Sequence, residues 1–202
     1  MPLALPPPPN FITPPVKRPT HHRCKIPGFH CTPGPAMHIN PERSSRPDYA
    51  LLERQVESVL EGERNLMTNA AQFSALVYDT LADLNWAGFY FTVPARKGEG
   101  QDLLVGPFQG KPACARIPFG RGVCGTVAVE RKTIVVPDVH AFPGHIACDS
   151  ASNSEIVLPL IKDGEVLGVF DIDSPVLDRF SEEDREGLER MLAAFMDGTD
   201  FS

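Results

Sequence analysis

Three cysteines, Cys114, Cys124 and Cys148, fall within 35 residues of one another in the acidic part of the chain. Their odd number argues against a closed structural disulfide framework. Free cysteine packs well in cores and is often inert there, so the surroundings of each thiol decide what it can do. Cys114 lies in Gln109-Gly110-Lys111-Pro112-Ala113-Cys114, and Cys148 in Gly144-His145-Ile146-Ala147-Cys148-Asp149-Ser150. Both runs are loop-like, which favours reactivity over packing.

A second feature is a pair of acids in an apolar strand. Over Val166 to Asp173, strict alternation puts Leu167, Val169, Asp171 and Asp173 on one face and Val166, Gly168, Phe170 and Ile172 on the other. Two neighbouring buried carboxylates cost several kcal/mol unless one is protonated or a cation neutralises them. A positively charged ligand group meets that need; the competing reading is a strand that simply emerges into water at Ser174-Pro175. Glu155 opens the partner strand. With a two-residue turn at Asp163-Gly164, position 155 pairs with 172, which sets Glu155 on the opposite face from the aspartates. Pro159 lacks a ladder hydrogen, so a bulge there is the expected device for bringing the third acid round.

The elements that position these residues are read from periodicity. Asp48 caps a helix with Leu51, Leu52, Val56, Val59 and Leu60 at helical spacing, and Asn69 to Leu84 repeats the signal with Ala70, Phe73, Leu76, Val77 and Leu81. Trp86 to Val93 and Asp102 to Phe108 read as a hairpin, Gly122 to Lys132 as a short helix, and Thr133 to Val136 as a strand. Glu155 to Lys162 and Glu165 to Asp173 flank Asp163-Gly164, a type I′ hairpin signal. Ser181 caps a last helix, with Asp184 standing where a capping box usually has Glu or Gln, and with a stripe of Leu188, Met191, Leu192 and Phe195. The order α-α-β-β-α-β-β-β-α, built on hairpins, predicts an α+β domain with an antiparallel sheet flanked by helices.

Charge divides the 202-residue chain in two. Thirteen of the 21 prolines precede Asp48, and the bases Lys17, Arg18, Arg23, Lys25, Arg43 and Arg46 meet only one acid there, Glu42. Residues 1–47 therefore read as a disordered, proline-rich basic extension and 48–198 as the folded domain. The paucity of acids resembles an organelle transit peptide, but this density of proline forbids the usual helix. His21, His22, Cys24, His30 and Cys31 fit no common zinc spacing, and no metal site is expected. From Asp48 onward 13 Lys and Arg face 25 Asp and Glu, a net charge of −12 that repels nucleic acid and anionic lipid. No membrane-spanning run occurs, so a cytoplasmic protein is expected.

Several long runs agree in order with one known family. Leu84-Asn85-Trp86-Ala87-Gly88-Phe89-Tyr90, GPFQGKPACARIPFGRGVCGT (106–126), DVHAFPGHIACDSASNSEIVLPL (138–160) and GVFDIDSPV (168–176) closely resemble the free methionine-(R)-sulfoxide reductases, which are built on a single GAF domain. The resemblance implies thiol-dependent reduction of free methionine (R)-sulfoxide, with no bound cofactor and with electrons from thioredoxin, itself reduced by NADPH through thioredoxin reductase. It aligns the catalytic thiol with Cys148, the principal resolving thiol with Cys114 and the third motif thiol with Cys124. It aligns the sulfoxide and amine ligands with Glu155, Asp171 and Asp173, and the aromatic wall around the substrate methyl with Trp86 and Tyr90.

Asp149 and the clustered acids are expected to raise the pKa of Cys148, with His140, His145 or the substrate ammonium to compensate. The alternative is a GAF sensor whose thiols are only redox-responsive. A sensor usually carries an output domain, and only Met196 to Ser202 follow the last stripe. A metal or haem sensor is disfavoured for want of a tight ligand cluster. The opening helices are candidates for a homodimer interface.

Overall fold

The computed structural model describes residues 43, 44, 46–146 and 148–201. The expected proline-rich extension therefore lies almost wholly outside the described residues. Among these no helix is long and apolar enough to cross a membrane.

Helix α1 (Tyr49–Leu60) starts where Asp48 accepts from the Leu51 N–H, and α2 (Leu66–Thr80) where Asn65 accepts from the Thr68 N–H. The second helix was expected three residues later and to run four residues further. The Asn65 cap begins it early, and Leu81 already has extended backbone. Strands β1 (Trp86–Pro94) and β2 (Gln101–Gly110) form the expected hairpin. The short β3 (Arg116–Pro118) went unforeseen, since three residues ending in proline give no periodic signal. Helix α3 (Gly122–Glu130) stops at Arg131, whose left-handed backbone breaks the ladder. Strand β4 (Ile134–Val136), a 3₁₀ turn (Val139–Ala141), strands β5 (Ser154–Lys162) and β6 (Glu165–Ser174), and α4 (Glu182–Asp197) complete the order. The Ser181–Asp184 capping box opens α4 as expected.

The six strands form one antiparallel sheet in the order β3-β2-β1-β6-β5-β4. Helices α1, α2 and α4 cover one face, where Phe73, Phe89, Phe170 and Phe195 pack with ring centroids 4.6–5.7 Å apart. Burying four such rings supplies much of the hydrophobic driving force. The opposite face carries α3 and the site.

One irregularity decides which residues face the site. The β5–β6 hairpin begins in plain register, Lys162 with Glu165 and Ile161 with Val166, across a turn whose Asp163 and Gly164 both have positive φ. Leu160 then pairs with Gly168, leaving Leu167 unopposed, and the shifted register continues to Glu155 against Asp173. The expected bulge exists, but it lies at Leu167 on β6 rather than at Pro159 on β5. Its consequence is that Glu155 joins Asp171 and Asp173 on one face. Leu167, expected on that face, packs with the helical core instead, and Val166 takes the site side.

Gly168 sits beside this bulge, and a Cβ there would overlap the Tyr90 carbonyl and the Phe91 Cα, neither of which can yield. Gly168→Ala is expected to cost roughly 2 kcal/mol or more, seen as a lower urea midpoint at unchanged slope; an unchanged midpoint contradicts this packing.

Candidate active site

Four strands, one helix and two loops converge on the acidic face. In one row across the sheet, Glu155 of β5 opposes Asp173 of β6, which opposes Trp86 of β1; in the next, Val157, Asp171 and Gly88 align. Gly88 is required here, because a Cβ would meet the Phe108 side chain and the Trp86 ring. Its absence of a side chain lets Trp86 stack between Tyr90 (5.6 Å) and Phe108 (5.3 Å). The first turn of α3 brings Cys124 over the acids.

Cys114, on the loop between β2 and β3, and Cys148, on the loop before β5, are joined in a disulfide with Cα atoms 5.5 Å apart. Cys124 is a buried free thiol whose Sγ donates to Glu155 Oε1 at 3.9 Å. Between these groups lies a narrow cleft of about 30 Å³. Cys124, Cys148, Glu155, Asp171 and Asp173 all line it, together with Arg121, His145, Asp149 and Ser152. Trp86 and Tyr90 do not. They are buried in the same sheet face beside the acids, 3% and 1% exposed.

Burial dominates the electrostatics. Glu155 and Asp171 are 5% and 6% exposed, and burial pushes Asp171 up to about 7, offset in part by contacts with Cys124 and Glu155. Burial and then the charges of Asp171 and Asp173 hold Glu155 well above the carboxylate range; burial and Asp171 do the same to Asp173. The three acids thus cannot all be ionised together near neutrality. Asp171 Oδ1 is buried with no hydrogen-bond partner. Burial and the same acids push the Cys124 thiol up, so it is a thiol rather than a thiolate.

His145 does not supply the expected compensating charge. Burial and then His140 lower the pKa of His145, whose Nε2 is 3.8 Å from Glu155 Oε2. His140 Nε2 meets Asn153 Oδ1 at 3.1 Å. The cation that meets Asp149 is Lys111, 3.1 Å from its carboxylate. Hydrogen bonds from the Ala151 N–H and Lys111 keep Asp149 below its ordinary range. Lys111, Asn85 and Ser152 escaped the sequence reading, although all three stand inside the family-like runs; their types are too common on loops to be singled out alone.

The fold also assembles the tight ligand cluster that the sequence did not reveal: donor atoms of Cys124, Glu155 and Asp171 lie within 4.8 Å of one another. A divalent cation could neutralise such a set. An organic ammonium can do so as well, and it fits the orphaned Asp171 oxygen equally.

Comparison with known proteins decides the family. Residues 68–195 match the GAF domain family. The free methionine-R-sulfoxide reductase of Escherichia coli is 50% identical over 145 residues, 72% of this chain and 84% of the relative. That of Saccharomyces cerevisiae is 44% identical over 171 residues, covering 81% and 91%. The chain belongs to the free methionine-R-sulfoxide reductase family of GAF domains. The solved structure of fRMsr of Staphylococcus aureus in complex with substrate superimposes with a TM-score of 0.69 at 45% identity, over 76% of this chain and 97% of that one. This reductase-family chain shares the single GAF domain and the antiparallel sheet flanked by helices that its sequence predicted.

Because the folded pKa of Asp171 is raised, the folded state holds a proton that the unfolded chain has lost. Its carboxylate therefore removes stability as pH rises from about 4 to about 7. Asp171→Asn is expected to raise the Tm of the disulfide form by about 3 °C or more at pH 8 and by much less at pH 4, by calorimetry. Equal shifts at both pH values would contradict the burial of this charge.

Proposed function

We propose that the protein reduces free methionine (R)-S-oxide to methionine through Cys148, and that thioredoxin resets it. The observation that carries this reading is a disulfide-forming cysteine facing buried Glu155 and Asp171 and half-buried Asp173 across one cleft. The Cys148 thiolate attacks the sulfoxide sulfur while a protonated Glu155 or Asp173 delivers a proton to the departing oxygen. Ionised Asp171, whose Oδ1 has no partner, receives the substrate ammonium. A methionine inside a peptide has no such group, which is the physical basis for selecting the free amino acid. Trp86 and Tyr90, adjoining the acids on the same face, become the wall for the methyl group once the cleft opens.

Oxygen transfer leaves methionine and a sulfenic acid on Cys148. The Cys114 thiol condenses with it, forming the disulfide and releasing water. Thioredoxin's dithiol then exchanges with the disulfide and leaves two thiols. Cys124 is disfavoured as the resolving thiol because burial and then the acids hold it protonated. Its contact with Glu155 suits it to steady the acid cluster. The narrow cleft belongs to the oxidised state, and opening the disulfide lets the Cys114 and Cys148 side chains part to admit substrate. The thioredoxin dependence fits a reducing compartment, and we place the protein in the cytoplasm.

Turnover is measured with the R and S epimers separately, using thioredoxin, thioredoxin reductase and NADPH. Only the R epimer is expected to turn over, and Cys148→Ser to lose about a thousandfold or more. Equal turnover by the variant and the parent rejects the thiol mechanism. Cys114→Ser is expected to complete one turnover with a normal burst and to recycle at least about tenfold more slowly with thioredoxin. Unimpaired recycling reassigns resolution to Cys124.

A further inference from the structure

Two consecutive residues at the start of β1 each hold one of the two cysteine loops. The Trp86 indole Nε1 donates to the carbonyl oxygen of Lys111 at 3.2 Å, in the loop that carries Cys114. The Asn85 side-chain amide donates to Ser152 Oγ at 3.0 Å and to Asp149 Oδ2 at 3.3 Å, in the loop that carries Cys148. Asn85 is itself anchored to the sheet, its backbone N–H donating to the Asp173 carbonyl at 3.1 Å. The loops then meet directly through Lys111 and Asp149. None of these contacts passes through sulfur.

We propose that Asn85 is a positioning residue which, with Trp86, brackets the Cys114 and Cys148 loops so that the two thiols stay within bonding distance after the disulfide opens. Thirty-four residues separate the cysteines in sequence. Without a second tie their encounter is a loop-closure search; with both loops fixed to one strand end, the effective concentration of one thiol at the other rises. The bracket thereby stabilises the disulfide relative to the dithiol and speeds condensation of the Cys148 sulfenic acid with the Cys114 thiol, which releases water. The ion pair alone contributes little, because the Lys111 side chain is 68% exposed. The Asn85 amide, on a part-buried side chain, carries most of the effect.

This inference rests on the proposed roles of Cys148 and Cys114 only for its kinetic half. The first measurement uses no substrate: the full chain is equilibrated with dithiothreitol, a dithiol reductant, and the Cys114–Cys148 bond is quantified by alkylation and peptide mass analysis. Asn85→Ala is expected to shift the equilibrium about tenfold toward the dithiol, which is about 30 mV for a two-electron couple, and Lys111→Ala about twofold. In a single turnover with methionine (R)-S-oxide, the Cys148 sulfenic acid should persist longer in Asn85→Ala, while the initial oxygen transfer stays within about twofold of the parent.

A dithiothreitol equilibrium within about twofold of the parent for a folded Asn85→Ala overturns the bracket, as does equal loss of both steps. Where Asn85→Ala fails to fold, Lys111→Ala combined with Ser152→Ala removes the ion pair and the shorter of the two Asn85 amide contacts, and an unshifted equilibrium there overturns the bracket equally. Absence of any methionine formed in the parent's single turnover, with the equilibrium shifted in Asn85→Ala, rejects the catalytic reading and supports the bracket.

Discussion

The site depends on drawing three carboxylates out of water onto one face of a sheet. Glu155, Asp171 and Asp173 cannot all be charged there, because each loses solvation and repels the others. The protein meets this cost with protons and with a neighbouring thiol, and it leaves one acceptor oxygen, Asp171 Oδ1, unmet. In the proposed reading, an ammonium-bearing guest supplies the counter-charge that these acids call for. In the proposed mechanism, receptor and proton donor are therefore parts of one electrostatic problem.

Placing those acids together is a question of register. In a ladder with period two, a slip of one residue moves a side chain to the other face. The unopposed Leu167 makes that slip inside the β5–β6 hairpin, so both halves of β6 remain apolar on their own sides while Glu155 comes to oppose Asp173. Glycines complete the arrangement: Gly168 admits the backbone of β1 beside the bulge, and Gly88 leaves room for Trp86 to lie flat. The aromatic core on the opposite face holds the sheet rigid beneath them.

The reactive sulfurs, by contrast, sit on loops. Acids on strands and thiols on loops are a reasonable division, since the acids must be held against their own repulsion and, in the proposed mechanism, the thiols must react in turn with a substrate, each other and an external reductant. Asn85 and Trp86 link the two regimes, tying both loops to a strand end that cannot move without disturbing the acids.

Helices, hairpins and caps were legible in the sequence because their signals are local: apolar spacing, Asp163-Gly164, and the Ser181–Asp184 box each act within a few residues. The long runs containing Cys114, Cys148 and Asp171 also pointed to the family. What the chain alone did not reveal was where the bulge lies, that β3 pairs at all, that His145 is held neutral while Lys111 answers Asp149, and that Cys124 reaches Glu155. Each of these depends on partners distant in sequence, through sheet register, burial or loop packing. Residue types and local periodicity settle which elements form. Only the assembled sheet decides which side chains share a face and how much water each one loses, and the chemistry of this cleft follows from that.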